Sequence, residues 1–161
     1  IALPTVERLV AKHANIRHIK ESGGDVSRVD ELKQSLGDEI TVLSGDDGLT
    51  LPFIASGADG VISVASNLIP TEVTEQVRSA LSGDLKTASS FHHSLYPLFR
   101  DLFIEPSPVP VKACLKKLGY FSTDRVRLPL CEISKENRTI VLDSLQQVTN
   151  NLKSINAWPT A

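Results

Sequence analysis

Three short apolar runs, residues 16–20, 40–44 and 60–64, each followed by a stretch of helical periodicity, narrow most what this chain can fold into. Strand then helix, repeated, is the pattern of a parallel sheet, because a chain can return to the start of the next parallel strand only through a long crossover. Gly23-Gly24-Asp25 closes the first run before Val26, Val29, Leu32 and Leu36 mark one helix face. Gly45-Asp46-Asp47 closes the second, and residues 49–56 follow as a helix in which Pro52 fits only the first turn. Ser66 and Asn67 sit in the loop after the third, and Val73, Val77, Ala80 and Leu81 face inward from a helix ending at Gly83. Leu3, Val6, Leu9 and Val10 give one more amphipathic helix in front of all three. The runs start roughly 20 to 24 residues apart, which suits a (β/α)8 barrel or a doubly wound sheet, and periodicity does not separate the two.

Beyond Gly83 no strand pattern recurs. Phe91, Leu95, Leu98, Phe99, Leu102 and Phe103 form a helical stripe with a kink expected at Pro97. Residues 109–118 read as a helix opened by Pro110 and stopped by Gly119. Val141, Leu145, Val148 and Leu152 define a last helix after Ser134, and the stretch after Asn156 reads as a frayed end. The expected division is therefore a βα part at residues 1–83 and a helical extension at 84–161. Within the extension, Glu105-Pro106-Ser107-Pro108-Val109-Pro110 is a connector stiffened by its prolines.

Composition excludes several classes. With 161 residues, 41% hydrophobic and a net charge of -2, the chain can bury a core, and its interspersed charges give no reason to expect nucleic acid or an anionic membrane as partner. No run approaches the roughly 18 apolar residues that span a bilayer, and no basic-then-apolar leader is present, so the expected compartment is the cytoplasm. Cys114 and Cys131 lack metal or redox spacing and are expected to be buried free thiols. No metal or cofactor is expected. The sequence opens on Ile1 and contains no Met, so it is expected to be a piece of a longer protein.

In parallel βα folds the reacting groups gather at the C-terminal ends of the strands. Those ends carry Lys20, Ser44-Gly45-Asp46-Asp47 and Ser63. Lys20 closes an apolar strand, where its amine is expected to point somewhere enclosed. A desolvated lysine loses its proton more easily and can condense with a ketone. The competing reading is a lysine paired with Glu21 or with an acid on a neighbouring strand. Gly45 and Gly60 allow close approach of a small ligand, or serve turn geometry alone. Asp46-Asp47 reads better as helix capping than as an acid–base pair. His92-His93, neighbours on a helix, cannot chelate one ion together and receive no role.

Four motifs, in order, resemble those of the dihydrodipicolinate synthase and N-acetylneuraminate lyase family. They are Ile19-Lys20-Glu21-Ser22-Gly23-Gly24-Asp25, Leu43-Ser44-Gly45-Asp46-Asp47, Gly60-Val61-Ile62-Ser63-Val64-Ala65-Ser66-Asn67 and Glu105-Pro106-Ser107-Pro108-Val109-Pro110-Val111-Lys112. Arg127-Leu128-Pro129-Leu130 fits as well. The resemblance implies the C-terminal half of a family member: the last three βα units of a (β/α)8 TIM barrel and the helical extension that follows. It implies that Lys20 forms a Schiff base with pyruvate, that Gly45 lines the pocket, and that the backbone of Ile62 faces bound pyruvate. The implied reaction is condensation of pyruvate with aspartate semialdehyde to hydroxytetrahydrodipicolinate, on the route to lysine and diaminopimelate, in a homotetramer. N-acetylneuraminate lyases share the lysine and the barrel but differ after the lysine and in the proline-rich connector, so the synthase is favoured.

The resemblance also implies groups with no counterpart here: a hydroxyl relay of two tyrosines and a threonine, a carboxylate-binding Thr-Thr pair and an arginine for the aldehyde. Tyr96 and Tyr120, in the late helical region, are no substitutes. The missing N-terminal half of the barrel is therefore an expected partner, and the 161 residues alone are expected to be inactive. The alternatives are another pyruvate-dependent aldolase of the same family and a non-catalytic half-barrel whose open strand edge a partner covers.

Overall fold

The computed structural model describes residues 1–154. They form two compact units, one of residues 1–63 with 75–88, the other of residues 64–74 with those from Ser89 onward.

The first unit is built from helix α1 (Leu3–Lys12), strand β1 (His18–Glu21), helix α2 (Ser27–Leu36), strand β2 (Thr41–Ser44), helix α3 (Thr50–Ala55) and strand β3 (Gly60–Val61). The strands make one parallel sheet in the order β1-β2-β3. Val6, Val10, Val29, Leu32, Ile40, Val42, Phe53 and Ala58 form its buried core, with Ile19 packed against them. All three helices therefore lie against the sheet face that carries Ile19 and Val42. Side chains alternate along a strand, so Lys20 and Leu43 belong to the opposite face.

At its base the sheet is tied by Asp59, whose Oδ2 accepts the Val42 N–H and a hydrogen bond from Lys33 Nζ, each at 2.8 Å. Strand β3 is shorter than residues 60–64, the expected run. Val64 already has helical dihedrals, φ -85° and ψ -43°, and leads into a 3-10 turn at Ala65–Asn67. Pairing still extends one residue past β3, since the Ile62 N–H donates to Ser44 O at 2.8 Å.

Helix α4 (Pro70–Leu81) turns Val73 and Ala80 inward, whereas Leu81, expected to face in, ends the helix 54% exposed. Helix α5 (Leu85–Asp101) continues through Pro97, and Phe103 lies beyond its end, exposed, rather than on the apolar stripe. Helix α6 (Val109–Lys117) and helix α7 (Lys135–Ser154) pack together in the second unit. Its core includes Leu95, Leu98, Phe99, Val111, Cys114, Val141, Leu145 and Val148. Buried Asp101 joins α5 to α7 by accepting the Ser144 hydroxyl and is gripped at both oxygens by Arg100. Burial pushes this carboxyl's pKa up, but the Arg100 and Ser144 hydrogen bonds outweigh it and the net shift is downward.

Both cysteines are free. Cys114 is buried, and burial pushes its thiol up to about 12. Cys131, expected to be buried, is exposed, in the irregular segment between α6 and α7. Among the described residues no helix is long and apolar enough to cross a membrane. The stretch after Asn156 lies outside the described residues.

Candidate active site

Register brings the strand ends together. Lys20 pairs with Leu43, and Leu43 with Gly60, so these three form one layer across the sheet on the face that no helix of this unit covers. The Leu43 side chain folds over Gly60, its Cδ2 standing 3.4 Å from where a methyl group on that glycine would be. One step toward the C-terminal ends, the Gly45 N–H donates to Glu21 O at 2.7 Å and the Ile62 N–H to Ser44 O at 2.8 Å. Ser22, Gly45 and Ile62 thereby form a second layer on the same face. Lys20, Gly45 and Ile62 are in this way neighbours on one side of one sheet. Because its N–H is spent on Ser44, Ile62 has only its carbonyl left among its backbone groups to meet a ligand.

Lys20 was expected to be enclosed, yet it is exposed in this chain. The reason is that α1, α2 and α3 pack on the other face. Its amine takes part in no hydrogen bond or ion pair among the described residues. Pairing with Glu21 is excluded by geometry: Glu21 belongs to the helix-covered face, where Oε2 lies 3.7 Å from Arg28 Nε, and Oε1 accepts the Gly23 N–H at 2.6 Å. Lys33, in contrast, is fully engaged by Asp59 and Ile40 O.

The polar residues after β2 brace the corner. Buried Ser44 donates its hydroxyl to Asp46 O at 2.8 Å, and Asp46 Oδ1 accepts the Gly48 N–H at 2.8 Å, capping the 3-10 turn Asp47–Leu49. Thr50 Oγ1 donates to the same Asp46 carbonyl at 3.1 Å, and the Ser63 hydroxyl donates to buried Asp47. This corner holds Gly45 in place beneath the Lys20 side chain. Among the described residues no group of three or more His, Cys, Asp or Glu is arranged to hold a metal ion. His92 and His93 meet edge to face, 5.6 Å between ring centroids, on α5.

The residue missed in sequence is Ser22. Its offset of two from Lys20 places it on the same face, a signal present in the alternation of the strand. Its contact with Gly45 depends on register across two strands and could not be read from spacing.

Residues 1–148 match the model of the Dihydrodipicolinate synthetase family. A 4-hydroxy-tetrahydrodipicolinate synthase of Aquifex aeolicus is 44% identical over 154 residues, 96% of this chain and 52% of that protein. One from Methanocaldococcus jannaschii is 44% identical over 144 residues, 89% of this chain and 49% of that protein. The solved structure of the 4-hydroxy-tetrahydrodipicolinate synthase from Methylacidiphilum fumariolicum SolV superposes with a TM-score of 0.94 at 46% identity, covering 99% of this chain and 53% of that one. The chain spans about half the length of the curated relatives it matches, and that half is the C-terminal one.

Proposed function

Since the chain belongs to the dihydrodipicolinate synthetase family and forms the C-terminal part of its (β/α)8 barrel with the helical extension, we propose that Lys20 is its Schiff-base lysine. The observation that carries this reading is the uncommitted Lys20 amine at a strand end, on the open face, beside the side-chain-free Gly45. The neutral amine adds to the keto carbon of pyruvate, water leaves, and the resulting iminium draws electrons from the adjacent methyl carbon. Loss of a proton there gives an enamine, whose carbon attacks the aldehyde carbon of aspartate semialdehyde. Gly45, having no side chain, lets the Lys20 chain lie across it, and the Ile62 carbonyl faces the adduct. The proton transfers need general acids and bases that this half of the barrel does not supply. We therefore expect the 161 residues alone to be inactive and the complementary half of the barrel to complete the site. Assembly as a homotetramer in the cytoplasm belongs to the same proposal and is checked by sedimentation of the intact protein.

Borohydride reduction in the presence of pyruvate tests the reading, because it converts an iminium into a stable secondary amine. Peptide mapping is expected to find the adduct on Lys20. Lys20→Arg keeps the charge but cannot lose its proton at working pH, and turnover is expected to fall by on the order of 10³-fold. An adduct on Lys12, Lys33 or Lys112 instead, or near-normal turnover by the Arg variant, would remove Lys20 from the mechanism.

A further inference from the structure

A methyl group on Gly45 would stand 1.7 Å from Ser22 Oγ, 2.6 Å from Lys20 Cε and 2.9 Å from Ser22 Cβ. The space above Gly45 is thus occupied from two sides, by the hydroxymethyl group of Ser22 and by the ε-carbon of Lys20. Two groups that both border one point so closely also border each other. Ser22 is exposed, and among the described residues its hydroxyl takes part in no hydrogen bond, so no duty in holding the fold accounts for it.

Resting on the Schiff-base reading of Lys20, we propose that Ser22 is a positioning residue, whose hydroxymethyl group, lodged over Gly45, confines the Lys20 chain to the rotamers that present its amine to the keto acid. A lysine side chain has four freely rotating torsions, and a nucleophile gains most from walls that fix its direction of attack. Gly45 is the floor of this arrangement and Ser22 one wall. With residue 22 reduced to alanine, the ε-carbon gains room, and the amine spends less of its time in the attacking geometry. With a methyl at residue 45, the ε-carbon and the hydroxymethyl group are both displaced.

The test is the rate of pyruvate trapping on Lys20 by borohydride in the intact protein, without aldehyde, alongside kcat and KM for pyruvate. Ser22→Ala is expected to trap about 10-fold more slowly, with an unchanged unfolding midpoint and a larger change in kcat than in KM. Ser22→Thr, which keeps the oxygen, is expected to return to within about twofold of the unsubstituted rate. Gly45→Ala is expected to lose about 100-fold, and the double variant Gly45→Ala with Ser22→Gly to recover about 10-fold of that, the new methyl taking over the wall. An unaltered trapping rate in Ser22→Ala, a slower rate accompanied by a lower unfolding midpoint, or a double variant no better than Gly45→Ala would each overturn the positioning role. Absence of any adduct in the unsubstituted protein would instead overturn the Schiff-base reading, and the positioning role with it.

Discussion

Glu21 turns its carboxylate away from Lys20 and spends it on Arg28 Nε, 3.7 Å away, and on the Gly23 N–H at 2.6 Å. One peptide bond separates the two residues, yet they serve opposite faces of the sheet. Both side chains of the Glu21–Arg28 pair are 16% exposed, so the contact is only partly screened by water. Glu21→Ala removes the acceptor of the Gly23 N–H and the partner of Arg28, and urea unfolding is expected to show a loss of about 1 to 2 kcal/mol. Trapping of pyruvate on Lys20 should continue at its usual rate. A large fall in trapping at constant stability would mean that Glu21 acts on the amine after all.

Asp124 provides an acid-stability prediction for the second unit. Lys116 Nζ at 2.9 Å and Arg138 Nη1 at 2.6 Å hold its carboxyl down to about 2. A carboxyl depressed in the folded state stabilises above its unfolded pKa of about 3.9, and that contribution is lost as pH falls through the folded value. The window is therefore roughly pH 4 down to pH 2. Asp124→Asn is expected to cost about 1 kcal/mol at pH 6 and to flatten the stability profile across that window, measured by thermal or urea unfolding.

Glu72 predicts the opposite slope. It lies in the first turn of α4, 2% exposed, and among the described residues neither carboxylate oxygen has a hydrogen-bond partner. Burial pushes its pKa up, partly offset by its own backbone N–H. A carboxyl raised in the folded state stabilises fully below its unfolded pKa of about 4.3, and the benefit is lost as pH rises through the folded value. Glu72→Met removes the buried carboxyl at similar volume and is expected to raise stability at pH 8 by about 1 to 3 kcal/mol. The gain should shrink toward pH 4. A variant less stable than the parent at pH 8 would show that the carboxylate has a partner in solution.

Much of this architecture was legible in the chain. The alternation of apolar runs with helical faces located β1, α2, β2 and α3 because each segment's period matches the one surface it buries. Lys20 stood out at a strand end for the same reason. The sequence did not disclose which face of the sheet the helices would take, and so Lys20 was expected to be enclosed. That question is decided by Val6, Val29, Leu32 and Phe53 converging on Val42. The early end of β3 depends on the backbone of Val64, a β-branched residue that local propensity would keep extended. The burial of Glu72 has no signal in its spacing, because an acid near a helix start is favourable to the dipole whether it is covered or not.

Alternation along β1 also governs which changes in chain length the site can survive. One residue inserted between His18 and Lys20 would turn the amine toward Val42 and Leu32 and bring Glu21 out onto the open face. Two residues would restore the orientation but shift the layer that Lys20 shares with Leu43 and Gly60. The Gly23-Gly24-Asp25 turn is under no such parity constraint, and Gly24 there has φ 80° with open space around it. Length variation among descendants of this sequence should accordingly collect in that turn and stay out of residues 18–22, whatever happens to the identities of the side chains on the helix-covered face.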